Sequence, residues 1–257
     1  MPQISHFISD LHLCENKPEL FQLFEFYMQN IAIKSSQLYV LGDLFEVWLG
    51  DDCLDESNSP SKLYLDVIAL FKKYSDETGK LYFVHGNRDF LLSKGFEIHT
   101  GGKIINEPTL ITLASKSIAV LHGDSLCTDD IAYQEFRNMV RNPDWQKAFL
   151  SQPLQKRIEI ATALRDKSKN AQTEKTNQIM DVNQQTVNDF FSKYKVDWLI
   201  HGHTHRQATH QLKVDNKNLK RIVLSDWGSL FGDQQEAEGF YLSIDDHTIN
   251  EHYFSCS

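Results

Sequence analysis

Apolar residues along this chain gather into short runs, and several of these runs stop at the same kinds of polar residue. "ISHFIS" (4–9) reads as a buried strand that ends at Asp10. "QLYVLGD" (37–43) runs into Gly-Asp, and "KLYFVHGN" (80–87) into Gly-Asn. "KSIAVLHGD" (116–124) and "KVDWLIHGHTH" (195–205) are the fourth and fifth such strands. Between them the apolar spacing widens to that of a helix. Residues 18–33, opened by Pro18, carry Leu20, Leu23, Phe24 and Met28 at helical intervals, and 61–78 has the same character. From about 208 to 254 the chain alternates as strands do. Strands interleaved with helices predict an α/β fold, a layered sandwich that occupies 1–257 as one domain. Loops at the carboxyl ends of strands are where open α/β sheets gather ligands. Five such loops of one sheet are therefore expected to surround a single point.

Residues 128–193 depart from this rhythm and read as mostly helical. Asn142 and Pro143 have the character of a cap and a first helical position, followed by Trp145, Phe149 and Leu150. Pro153 restarts a helix with Leu154, Ile158, Ala161 and Leu164. Arg137 to Lys175 holds nine basic and four acidic side chains, within a chain whose net charge is −9. A basic, amphipathic insertion in an acidic protein fits either a solvated face on packing helices or a lid for an anionic, greasy ligand or a membrane surface.

Composition narrows the class. The chain is 41% hydrophobic and 11% aromatic, enough for a core. Its acidic balance argues against nucleic acid as a partner. Cys14, Cys53, Cys127 and Cys256 lie far apart with no CxxC pair, so the expectation is a reducing compartment without a disulfide framework. "MPQISHFISDLHL" lacks a basic start and a long apolar stretch, and no run approaches the roughly 20 residues that span a bilayer. A cytoplasmic protein, free to sit on a membrane surface, is expected.

The strand-end residues carry the chemistry: Asp10, His12, Asp43, Asn87, His122, His203 and His205. They offer oxygen and imidazole but no thiolate, which suits Mn²⁺, Fe or Zn²⁺ in a working site. Seven donors are too many for one ion and suit two, with one carboxylate shared. Two cations about 3.5–4 Å apart form a clamp for phosphoryl chemistry.

The ordered set DxH, GD, GNxD, HGD, GHTH resembles the calcineurin-like metallophosphoesterases. The resemblance implies a two-sheet sandwich flanked by helices. It implies one metal on Asp10, His12 and His205, a second on Asn87, His122 and His203, and Asp43 bridging them. A hydroxide held between the metals would attack phosphorus in line. Members commonly carry His after the Asn, whereas here "HGNRDF" has Arg88. Arginine gives up no proton but can fork onto phosphate oxygens. That favours a leaving group that departs unprotonated, as a phosphate monoester with second pKa about 6 does.

The longer stretches "SDLHLC", "LGDLFEVWLGDD", "HGNRDFLL", "LHGDSLCTDD", "IMDVNQ" and "HGHTHR" are similar to the UDP-2,3-diacylglucosamine pyrophosphatase family of bacterial lipid A biosynthesis, over almost the entire chain to about residue 210. This resemblance implies hydrolysis at the α-phosphorus to UMP and 2,3-diacylglucosamine 1-phosphate (lipid X), with two Mn²⁺ as cofactor. It implies a lipid-linked sugar nucleotide as substrate and a peripheral place on the cytoplasmic face of the inner membrane, with no obligate protein partner. The helical insertion, 128–193, becomes a cap for two acyl chains. By motif match, Asn87, Arg88, Asp130, Ser168, Lys175 and His203 touch substrate, and Gln172 stands where the family has Asn. Arg88, Asp43 and His122 are the expected catalytic residues. "SDWGSLFGDQ" matches poorly and is assigned nothing.

Other residues have plainer expectations. His201 precedes Gly202 and reads as structural support. Asp124 is expected to orient His122. Asp89 is expected to pair with Arg88 or to cap a helix from Phe90. Asp51 and Asp52 read as a polar loop near the site, Cys14 and Cys127 as packing, Trp145 and Phe149 as acyl-chain contacts. Two alternatives remain: a phosphoesterase for a soluble nucleotide or phosphoprotein, and an inactive scaffold on the same fold.

Overall fold

The computed structural model describes residues 3–58, 61–173, 181–214, 217–228 and 237–256, with the side chains of Glu56 and of 166–173 outside that set. Strands β1 (Ser5–Ile8), β2 (Gln37–Leu41) and β3 (Lys80–Val84) pair in parallel. Short β4 (Lys103–Ile104) extends one side, and antiparallel β10 (Gly239–Ile244) and β11 (Ile249–Phe254) the other. A second sheet has parallel β6 (Lys116–Val120), β7 (Trp198–His201) and β9 (Lys217–Val223), edged by β5 (Thr109–Leu113) and β8 (Ala208–Val214).

The sheets face each other across an apolar layer. Phe7, Tyr39, Leu41 and Val84 of the first meet Ile118, Val120, Ile200 and Ile222 of the second. Alternate residues point outward. Ile8, Val40 and Phe83 pack with helices α1 (Pro18–Phe26), α2 (Lys62–Glu77) and α3 (Lys94–Thr100). Ala119 and Leu199 pack with Val187 and Phe191 of α7 (Gln184–Tyr194). Burial on both faces explains why these strands read as unbroken apolar runs.

The two sheets are those expected, but the expectation that all five site-bearing loops leave one sheet is corrected. Three site-bearing strands belong to the first sheet and two to the second. A strand buried on both faces has the same composition in either sheet, so the run itself carries no record of its neighbour. The helix expected over 18–33 ends at Phe26, continues as a wider π turn (Tyr27–Ile31) and closes as a 3₁₀ turn (Ala32–Lys34).

The insertion folds as α4 (Ile131–Val140), α5 (Pro143–Leu150), α6 (Leu154–Thr173) and α7. Asn142 caps α5, its side chain accepting from the N–H groups of Asp144 and Trp145. Arg157 of α6, 1% exposed, forks onto Asp52 and donates to the Leu49 carbonyl, pinning the cap to the body. Asp51 instead receives the Trp48 indole N–H and the N–H groups of Ser93 and Phe96, so this acidic pair fastens α6 and α3. Phe149 is buried in the main core with Trp145, partly buried, packed beside it. No described helix is long and apolar enough to cross a membrane.

Candidate metal centre

The site begins with backbone. Asp10, His12, Asp43, His203 and His205 all adopt positive φ, between 49° and 68°, and make up five of the eight described non-glycine residues that do. Such conformations persist only where surroundings over-determine them. Parallel pairing carries on past the strand ends here: the N–H of Asp10 donates to the Gly42 carbonyl (3.1 Å), and that of His12 to the Asp43 carbonyl (3.0 Å). Asp89 does the rest. Fully buried, it accepts from the N–H groups of Leu44 and Gly86 at 2.8 Å and of Asp43 at 3.3 Å. It neither pairs with Arg88 nor caps a helix at Phe90, and α3 starts only at Lys94. Three loop donors without a strand partner claim its oxygens. Gly202 is required by close approach: a Cβ there would collide with the Asp10 carboxylate and the Ser9 hydroxyl.

All seven expected donors come together. Asp10 Oδ1 lies 3.5 Å from His205 Nε2, which is 3.3 Å from His12 Nε2. Asp43 turns one oxygen to each side, Oδ2 3.9 Å from His12 Nε2 and Oδ1 3.8 Å from His122 Nε2. On the far side Asn87 Oδ1 is 3.0 Å from His122 Nε2 and 2.9 Å from His203 Nδ1. The donor atoms of Asp10, His12 and His205 lie within 4.8 Å of one another, as do those of Asp10, Asp43 and His122.

This donor set fits cations. The Nδ1–H of His122 donates to the Leu41 carbonyl (2.9 Å), so a neutral ring turns a lone pair at Nε2 toward the Asn87 oxygen. Asp10 Oδ1 is buried without a hydrogen-bond donor. Electrostatics agree. Burial opposes charge on His122, but Asp43, Asp10, Asp124 and Glu107 push it up to about 9. Burial likewise opposes charge on His205, yet Asp10 and Asp226 push it up to about 10. Burial raises the Asp43 carboxyl. For Asp10, the same burial penalty is overcome by His205, His122 and His12, which hold it far below the carboxylate range. Burial, helped by His122, pulls His203 down to about 4. A site that draws protons onto its imidazoles is a site short of positive charge.

Around these donors stand residues that no motif marked. Glu46 places Oε2 3.3 Å from His12 Nδ1, and Asp226 places Oδ2 3.4 Å from His205 Nδ1. Carboxylates in this position fix ring orientation and tautomer. Asp226 lies in "SDWGSLFGDQ", and the next residue, Trp227, donates its N–H to the Asp10 carbonyl (3.1 Å), so the segment assigned nothing does reach the centre. Asp124 accepts from the Tyr133 hydroxyl (2.7 Å) and Arg137 Nε (2.8 Å), tying α4 down, while the Leu41 carbonyl orients His122. His201 is buried, contacting the Gly202 carbonyl and Arg221, the structural place expected of it.

The substrate-contact candidates divide. Asn87 and His203 face the centre, and the N–H of Arg88 donates to Asp43 Oδ1 (2.8 Å). Asp130 caps α4, accepting from the N–H of Tyr133 (3.1 Å). The side chains of Ser168 and Gln172, and all of Lys175, lie outside the described residues.

Residues 6–207 match the calcineurin-like phosphoesterase family. The chain belongs to the calcineurin-like phosphoesterases. This phosphoesterase is 45% identical over 223 residues to the UDP-2,3-diacylglucosamine hydrolase of Haemophilus influenzae, covering 87% of this chain and 90% of that one. It is 43% identical over 221 residues to the protein of that name from Serratia proteamaculans (86% and 90%), and 42% over 220 to that of Chromohalobacter salexigens (86% and 87%).

Proposed function

We propose that this phosphoesterase hydrolyses the pyrophosphate of UDP-2,3-diacylglucosamine at the α-phosphorus, releasing UMP and 2,3-diacylglucosamine 1-phosphate in lipid A biosynthesis. The observation that carries this reading is Arg88. Its backbone N–H donates to Asp43, which roots the residue at the centre, at the position where an imidazole acid commonly stands in the family, and its Nη1 lies 4.0 Å from Glu46 Oε1. Arginine cannot protonate a leaving group, and a departing phosphate monoester does not require it. The names of the relatives agree with that class of substrate.

Asp10, His12 and His205 would hold one Mn²⁺ in this reading and Asn87, His122 and His203 another, with Asp43 serving both; the donor types would also suit Fe or Zn²⁺. When bound, the pair of cations lowers the pKa of water and neutralises charge on phosphoryl oxygens. Arg88 holds the phosphoryl oxygens with its fork and stabilises charge that develops in the transition state. Asn87 and His203 border the same volume and position the substrate. Asp130, Ser168, Gln172 and Lys175 add contacts from the cap. Basic residues of the cap, with Ile131 and Met139 exposed on α4 and Ile158 on α6, suit a peripheral seat on the anionic inner face of the inner membrane.

The test is UMP release from the diacylated sugar nucleotide, assayed beside bis(p-nitrophenyl) phosphate and a dinucleoside polyphosphate. The diacylated compound is expected to give much the highest kcat/KM. A preference for the soluble compounds would end this reading.

A further inference from the structure

Glu46 lies on the loop after β2, its side chain 17% exposed. One carboxylate oxygen, Oε2, is 3.3 Å from His12 Nδ1, within ion-pair reach and short of hydrogen-bond geometry, which a small rotation would complete. The other, Oε1, accepts from Arg165 Nη2 of α6 and lies 4.0 Å from Arg88 Nη1. Three functional parts meet on this one side chain: a metal-binding imidazole, the phosphate-binding arginine and a cap helix. The Nε–H groups of Arg88 and Arg165 are buried without partners, so Glu46 does not saturate either guanidinium.

The other rings show what is unusual here. His122 is held by the Leu41 carbonyl, from the end of β2. His205 is held by Asp226, from the body of the protein. Glu46 gives its second oxygen to Arg165, a residue 119 positions away in the cap.

We propose that Glu46 is a positioning residue that couples the cap to the metal centre. Its Oε2 fixes the His12 ring so that Nε2 is free for the cation, and its Oε1 seats Arg165 beside Arg88. The part that concerns substrate rests on the hydrolysis proposed above; the part that concerns metal does not.

Three variants separate the two oxygens: Glu46→Ala, Glu46→Gln and Arg165→Gln. Mn²⁺ affinity is read by calorimetry, folding by thermal melting of the metal-free chain, and kcat and KM with the diacylated substrate at saturating Mn²⁺. Glu46→Ala is expected to melt like the wild type and to bind Mn²⁺ about 10–100-fold more weakly. Glu46→Gln keeps an acceptor for His12 and recovers most of that affinity, but its KM stays raised because the arginine pairing is lost. Arg165→Gln shares the rise in KM and keeps wild-type Mn²⁺ affinity. If Glu46→Ala does not fold, Glu46→Asp, with too short an arm to reach His12, carries the same Mn²⁺ expectation. Wild-type Mn²⁺ affinity in Glu46→Ala or Glu46→Asp overturns the proposal, as does an unchanged KM in both Gln variants. A chain that ignores the diacylated substrate would defeat the hydrolysis reading alone, since the Mn²⁺ titration still decides the role of Glu46 toward His12.

Discussion

His122 and His203 stand with ring nitrogens 3.2 Å apart, and Asn87 Oδ1 lies within hydrogen-bond distance of both. Three atoms that can each bring a lone pair share one small volume. Without a cation, a proton on His203 Nδ1 can be donated to only one of the other two atoms, and the carboxylates around His122 favour a further proton there while burial keeps His203 neutral.

Cation binding must therefore expel protons. His122 and His205 are raised from 6.5 to about 9 and about 10. The stability they lend the metal-free fold is fully present below pH 6.5 and is lost as pH climbs through 9 to 10. Mn²⁺ requires those nitrogens bare, so its affinity should rise with pH over the same window. Calorimetric titration near neutral pH in two buffers of different ionisation enthalpy measures the release. Identical apparent enthalpies would show that no proton leaves.

Asp43 should be the least replaceable carboxylate. It faces His12 with one oxygen and His122 with the other, and its φ of 54° is one that Asn also tolerates. Asp43→Asn thus removes charge with little backbone strain. Loss of a supporting partner typically costs about 10–100-fold, and loss of a shared ligand should exceed that in turnover even at saturating Mn²⁺. Substantial residual turnover would show that Asp43 does not bridge.

Arg88 should matter to rate more than to metal. Its contact to Asp43 is made by the backbone N–H, which survives truncation of the side chain. Arg88→Ala is expected to retain its metal and lose roughly 10²–10³-fold in kcat, the scale of removing one transition-state donor. Arg88→Lys should restore only part, because an ammonium lacks the planar fork. Metal content by elemental analysis, set beside kcat, checks this. Parallel loss of both would make Arg88 a structural residue.

The donors were legible because each sits directly after an apolar strand, where a short motif survives in the linear chain. Their partners were not. Glu46 lies inside "LFEVW" and Asp226 inside "SDWGS", where nothing local distinguishes a carboxylate that meets a histidine from one that meets water. Asp89 was visible as a residue but not as a backbone acceptor, since its three donors come from two loops. The division into two sheets was hidden for a related reason. Pairing partners such as β6 and β7 are separated by the whole cap, so the layered sandwich was legible from the alternation of strands and helices while the share of strands in each sheet was not.

Arg157 shows how the cap can be uncoupled from the chemistry. The guanidinium is almost fully buried, with donors spent on Asp52, the Leu49 carbonyl and the Gln152 carbonyl (3.0 Å). Asp52 is about 43% exposed, so solvent screens the pair and Asp52→Ala should cost only about 1–3 kcal/mol. Adding Arg157→Met removes the stranded charge with a side chain of similar reach, and should recover part of that loss. Neither residue approaches the histidines, yet α6 carries the cap. Both variants should therefore raise KM for the diacylated substrate and leave bis(p-nitrophenyl) phosphate turnover near wild type, because that compound has no acyl chain to seat. Thermal unfolding and the two assays together decide it; equal loss on both substrates would mean that the anchor supports the metal loops themselves.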